Sequence, residues 1–236
     1  MIRVFIGFSR AAPLVSSVAA FSINRRASQP VAITHLALNQ LEGARIYTRP
    51  RHELQSTDFS FSRFLTPYLA GFQGWAIFMD DDMLVLDDIA KLWALRDERY
   101  AVQVVKHNHV PAEDVKFLDR VQTKYEKKNW SSVMLFNCAK CTALTPEYVN
   151  SASGLELHQF KWLGDDGLIG ELPHRWNHLA DYDPHAKDVS IVHYTLGGPY
   201  YDEFADCAYA KEWFAEREAM LHCDQRTTKK PVKAAS

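Results

Sequence analysis

Trp75-Ala76-Ile77-Phe78-Met79-Asp80-Asp81-Asp82 opens the reading of this chain. A short apolar run bounded by turn chemistry reads as a buried strand. Consecutive carboxylates at the end of such a strand repel one another, which is costly in a partly buried place unless a cation neutralises them. Hard divalent cations take carboxylate oxygens, and in an Asp-x-Asp turn the outer side chains, Asp80 and Asp82, can converge on one ion. The run therefore predicts a metal at the C-terminal edge of a strand, where open α/β sheets bind ligands. The competing structural reading is a solvated turn or helix cap, because short motifs carry a high false-positive risk.

Apolar character returns in Met83-Leu84-Val85-Leu86, and Asp87-Asp88 then reads as the cap of a helix from Ile89 to Leu95, a structural role. Upstream the chain reads strand, helix, strand over Ile2 to Gly7, about Ala12 to Ile23, and Val31 to Leu36. That alternation argues for a Rossmann-like half. Asn39 to Asp58 reads as polar and irregular, with Arg45, Arg49 and Arg51 clustered, and Ser60 to Ala70 as a helix feeding the central strand. Downstream, Ala101 to Val105, Val133 to Phe136 and Ile191 to His193 read as strands, and Asp206 to Leu221 as an amphipathic helix. A polar loop with His107, His109 and many lysines separates the first two, as binding or flexible loops do.

The 236 residues suffice for one large α/β domain, and the formal charge of −2 gives no basic field for a nucleic-acid partner. No apolar stretch approaches the roughly 20 residues needed to span a bilayer. The N-terminus superficially resembles a signal peptide, but Ser9 and Arg10 break its apolar run and Asn24-Arg25-Arg26 follows. The expectation is a cytoplasmic protein, at most peripheral to the inner face of a membrane. Residues 1–225 are expected to form the domain, and the basic tail 226–236 to be disordered. Cys138 and Cys141 form a lone C-x-x-C that reads as reduced core thiols, since Cys207 and Cys223 give no second pair. His174 and His178 are spaced i, i+4, but Pro173 and the Trp176-Asn177 turn argue against a helical metal face.

Taken in order, Val4-Phe5-Ile6-Gly7, Phe61-Ser62-Arg63-Phe64, Phe78 to Asp82, Trp130 to Asn137, and Leu172-Pro173 through Trp176-Asn177 to His193-Tyr194-Thr195-x-Gly197-Gly198 carry a resemblance. The chain resembles GT-A-type nucleotide-sugar glycosyltransferases, and among them glycosyltransferase family 8, with its glycogenin-like and lipopolysaccharide galactosyltransferase-like enzymes. The resemblance runs from about residue 2 to residue 200. It implies an α/β fold, a Rossmann-like mixed sheet flanked by helices in a single domain.

The same resemblance implies roles. Asp80 and Asp82 match the family's DxD, and His193 matches the histidine that completes the set of metal ligands for Mn²⁺ (or Mg²⁺). An imidazole with two carboxylates favours Mn²⁺, since Mg²⁺ prefers all-oxygen octahedra. Arg63 matches a donor-contacting arginine, able to pair with phosphate or to fix Asp80; its plain reading is a surface helix arginine. Gly7, Ser9 and Asp80 border the donor, and Gly197 and Gly198 can bring backbone N–H groups close to phosphate. Asp165 and Asp166 match a region near the transferred sugar and are the candidate catalytic carboxylates, the choice between them left open; their plain reading is a helix cap. Trp130, Ser131 and Ser132 are candidates to line the sugar pocket.

The implied activity is transfer of a hexose from a nucleoside diphosphate sugar, UDP by default, to a glycan or lipid-linked acceptor, with retention. Two departures stand out. Phe8-Ser9-Arg10 occupies the place of an acidic residue that follows the first strand in the family, and Pro199-Tyr200 stands where a phosphate-holding lysine is usual. They leave open an inactive glycan-binding relative; a nucleotidyltransferase, which shares the fold type and a metal aspartate, is a further alternative, against which the single glycine in Gly7 to Pro13 argues.

Overall fold

The computed structural model describes residues 1–51, 55, 57–107 and 127–222, with the backbone of 115–116 and 120–121. His109, Cys223 and the tail from 226 lie outside the described residues. The chain opens with β1 (Ile2–Phe8), α1 (Pro13–Arg26), β2 (Val31–Ala37) and α2 (Leu38–Gly43). A 3-10 turn, Ser62–Leu65, runs into α3 (Thr66–Leu69), then β3 (Trp75–Met79), β4 (Met83–Val85) and α4 (Ile89–Ala94). β5 (Val102–Val104) precedes a small antiparallel pair, β6 (Val115–Lys116) and β7 (Arg120–Val121). β8 (Val133–Asn137), α5 (Pro146–Ser151), α6 (Gly154–His158) and β9 (Ile169–Glu171) follow. The last elements are β10 (His178–Leu179), β11 (Ile191–His193) and α7 (Ala210–Leu221).

The main sheet runs β2-β1-β3-β8-β5-β9, with β8 antiparallel to both neighbours and the other pairings parallel. β3 is unbrokenly apolar because it is covered on both faces. Ala76 and Phe78 join Phe5, Met134 and Phe136 in one core, while Trp75, Ile77 and Met79 join Val4, Ile6 and Leu135 in the other. Each large side chain buried this way contributes about 1.5–3 kcal/mol. A second sheet, β10-β11-β4, stands beside it. α1 locks the two together: the Val85 N–H donates to Ser22 Oγ at 3.1 Å, and Arg25 and Arg26 reach the buried Glu216 of α7 at 3.3 and 2.7 Å.

β2 lies on one side of β1 and β3 on the other. That reversal opens a crevice at the C-terminal ends of β1 and β3, where such sheets take ligands. The strand, helix, strand opening and the Asp88 cap fall as the sequence predicts, with the Ala90 N–H donating to the Asp88 carboxylate at 2.9 Å. Three elements differ. The helix expected over Ser60 to Ala70 splits, because Pro67 has no N–H for a continuous ladder and instead sits in the first turn of α3. α7 begins only at Ala210, since Tyr209 is left-handed with φ +60°. α2 occupies part of the stretch read as irregular. Among the described residues no helix is long and apolar enough to cross a membrane.

Candidate active site

The crevice is stitched where β1 and β3 end. The Ser9 N–H donates to Asp81 Oδ2 at 3.1 Å, so the middle aspartate faces β1. Burial, and then the Asp82 charge, push the Asp81 carboxyl well above the usual carboxylate range. The triplet thus concentrates negative charge in a place poor in water, as expected of a cation site.

Asp80, Asp82 and His193 offer ligand atoms that all lie within 4.8 Å of one another. β11 pairs antiparallel with β4, placing His193 opposite Met83, directly beside the aspartate turn. His193 Nε2 stands 3.4 Å from Asp82 Oδ1. Its other nitrogen, Nδ1, is 3.0 Å from Asn177 Oδ1. The Asn177 amide orientation is set by its Nδ2, which donates to the Asn129 carbonyl at 3.2 Å. The amide oxygen must therefore accept, and His193 carries its proton on Nδ1. The Nε2 lone pair is thereby presented to the aspartates, the arrangement that outer-shell partners impose on metal-binding histidines. The donor set, two carboxylates and an imidazole, fits a divalent metal ion.

Arg63 is buried beneath this group. Its Nη1 lies 2.8 Å from Asp80 Oδ1 and donates to the Ser131 carbonyl at 2.9 Å, between the rings of Phe59 and Phe78. It fixes Asp80 and is not the surface helix arginine of the plain sequence reading. The turn supplying Ser131 is a hub. Ser132 O accepts from the Asp80 N–H at 3.0 Å and Asn129 O holds Asn177. Lys127 and Asn129 both sit at positive φ, +61° and +64°. Non-glycine residues adopt that region at a cost and tend to do so at functional sites.

A cavity of about 570 Å³ opens beside the aspartates, lined by Ser9, Asp81, Asp82, Gly197 and Tyr200 among others. Arg10 and Arg51 stand on its wall and share Asp58, at 3.6 and 3.3 Å. The sequence reading noted the arginine cluster but not this pairing; Arg49 is used elsewhere, donating to the Val149 and Ala152 carbonyls and covering Phe61. Gly7 serves packing, since a Cβ there would come within 2.6 Å of the Phe59 ring. Gly197, at φ +144°, lines the cavity, whereas Gly198 is pressed against Tyr200.

Asp165 and Asp166 are exposed and do not line the cavity. Asp165 caps a 3-10 turn by accepting from the Gly167 N–H at 2.8 Å, and Asp166 pairs with Lys127 Nζ at 2.6 Å. Through Lys127 the second of them reaches the same hub turn. Trp130 packs its indole N–H on the His107 carbonyl at 2.9 Å. Cys138 and Cys141 are buried free thiols, as expected, and burial pushes Cys138 up to about 11.

Comparison with known proteins matches the family model "Glycosyl transferase family 8" to residues 21–143. The chain belongs to glycosyl transferase family 8. It is also 44% identical over 224 residues to Protein CDI of Arabidopsis thaliana, covering 92% of this chain and 86% of that protein. The fold is shared with several solved GT-A glycosyltransferases at low identity. The galactosyltransferase LgtC, solved with donor and acceptor sugar analogs, aligns with TM-score 0.60 and 13% identity over 94% of this chain and 97% of its own. The bifunctional glycosyltransferase WbbM aligns with TM-score 0.64 and 14% identity over 95% of this chain, which spans about half of WbbM (50%). This family 8 member is accordingly a glycosyltransferase with a GT-A fold.

Proposed function

We propose that this family 8 enzyme is a metal-dependent hexosyltransferase that takes a nucleoside diphosphate sugar, with uridine as the base, and passes the sugar with retention to a glycan or lipid-linked acceptor. The observation that carries the reading is the convergence of Asp80, Asp82 and the lone-pair face of His193 beside a cavity large enough for a nucleotide. These residues would hold Mn²⁺ (or Mg²⁺). When bound, such an ion neutralises the charge that grows on the departing diphosphate.

The chain's own residues do the rest. Arg63 keeps Asp80 aimed, and Asn177 keeps the His193 proton on Nδ1. Arg10 and Arg51, fixed by Asp58, supply positive charge on the cavity wall in place of the family lysine. Ser9 and Gly197 offer close backbone to the donor. Asp165 and Asp166 are the proposed second acidic site, holding sugar or acceptor hydroxyls. Retention fits a front-face path in which the departing phosphate accepts the acceptor proton, so no strongly basic side chain is required. Residues 1–225 form the proposed catalytic unit, acting in the cytoplasm, either free or peripheral to the inner face of a membrane.

The test is release or transfer of sugar from a panel of UDP-hexoses with Mn²⁺, for the wild type and Asp82→Ala. Turnover that needs Mn²⁺ and disappears in the folded variant supports the reading; turnover unaffected by chelation or by Asp82→Ala contradicts it.

A further inference from the structure

A second group of imidazoles converges on Asp183. His174 opens a 3-10 turn and His178 begins β10, so the i, i+4 pair is not helical; even so, their ring centroids lie 6.1 Å apart. His107, just beyond β5, brings its ring to 5.1 Å from that of His174. Asp183 Oδ2 is their common point, 3.4 Å from His174 Nε2 and 3.8 Å from His178 Nδ1. The Leu179 N–H holds that oxygen in place at 2.6 Å. Ligand atoms of His107, His174 and Asp183 all fall within 4.8 Å of one another.

The tautomer of the buried His178 points the same way. The Tyr209 hydroxyl has one proton, which it donates to the Ala186 carbonyl at 3.0 Å, while it accepts from the Ala186 N–H at 3.1 Å. At 3.2 Å from that oxygen, His178 Nε2 must be the donor. Its Nδ1 lone pair is then directed at a carboxylate oxygen.

We propose that His107, His174 and Asp183 form a second divalent-cation site, of the zinc class, with His178 Nδ1 within reach as a fourth donor. Imidazoles with one carboxylate suit Zn²⁺ or Co²⁺, not Mg²⁺ or Ca²⁺. The half-exposed His174 leaves an entry path from solvent. The site shares no residue with Asp80, Asp82 and His193, yet an ion there would tie the end of β5 to the segment carrying Asn177. Occupancy would thus steady the residue that orients His193.

The test is titration of the metal-stripped full chain with Co²⁺, read by visible absorption, and with Zn²⁺ by calorimetry. Four-coordinate Co²⁺ gives intense d–d bands and six-coordinate Co²⁺ weak ones. The expected result is intense bands and about two equivalents in the wild type. His174→Ala and Asp183→Asn should each lose the intense bands and about one equivalent, and Asp82→Asn should keep the bands. His174→Ala, at an exposed position, decides the matter if Asp183→Asn fails to fold. Intense bands that survive His174→Ala, or their absence from the wild type, would overturn the proposal.

Discussion

Replacing Arg63 by Met tests the electrostatic logic beneath the aspartate triplet. The side chains of Arg63 and Asp80 are 6% and 11% exposed, so the pair exchanges little with water. Methionine keeps the length between the Phe59 and Phe78 rings but leaves Asp80 beside Asp81 without its cation. Breaking a buried pair by removing one partner costs about 3–5 kcal/mol. In a chain of this size each kcal/mol lowers the melting temperature by roughly 2–4 °C, so a drop of about 6–20 °C is expected. The assay is urea unfolding followed by tryptophan fluorescence in EDTA, for Arg63→Met, Asp80→Asn and the double variant. The double variant should be more stable than Arg63→Met, because removing the carboxylate's charge removes the penalty. A cost below about 1 kcal/mol for Arg63→Met, in the range of exposed pairs, or a double variant weaker than Arg63→Met, would refute the reasoning.

Three further outcomes are expected. Asn177→Ala should weaken Mn²⁺ binding by about 10–100-fold, as loss of an outer-shell partner does, with little change in nucleotide affinity when metal is saturating; calorimetry checks both. Arg10→Ala with Arg51→Ala should raise KM for the donor and flatten its salt dependence, measured from initial rates at two ionic strengths. His158 has one edge towards solvent, but its ring is enclosed by Phe61 and Phe64, and burial followed by the nearby Arg63 lowers its pKa from 6.5 to about 3. The unfolded chain therefore binds the extra proton first: this contribution to stability is whole above pH 6.5 and is lost as pH falls towards about 3. At about 1.36 kcal/mol per pH unit the ceiling is about 5 kcal/mol, less whatever the solvent-facing edge recovers. His158→Phe should flatten the slope of unfolding free energy between pH 6 and pH 4, roughly the interval this linkage covers.

What could be read from the sequence was what is local. β3 and the aspartates are contiguous, so an apolar run ending in repelling carboxylates is visible without any knowledge of the fold. The Asp88 cap and the alternation that sets β1, α1 and β2 are local for the same reason. His193 entered through resemblance, because nothing near it in sequence marks it as a partner of residues a hundred positions away. The hydrogen bonds that give the site its chemistry were invisible. Asn177 reaches His193 across 16 residues and Asn129 across 48, and Arg10 meets Asp58 only because the chain after α2 returns to the end of β1. The stretch from Ser60 to Ala70 had helical composition, yet Pro67 divides it. Helical periodicity does not capture His174 and His178, which converge through a turn and a strand around Asp183.

The most direct test of the donor site is thermal unfolding with UDP, GDP, CMP or dTDP, each with and without Mn²⁺. Ligand at about 100 times its dissociation constant stabilises by roughly 2.7 kcal/mol, a rise of several degrees in a chain of this length. The account predicts a rise with UDP that requires Mn²⁺ and vanishes in Asp82→Ala. A rise with UDP that is indifferent to Mn²⁺, or no rise with any nucleotide, would contradict it.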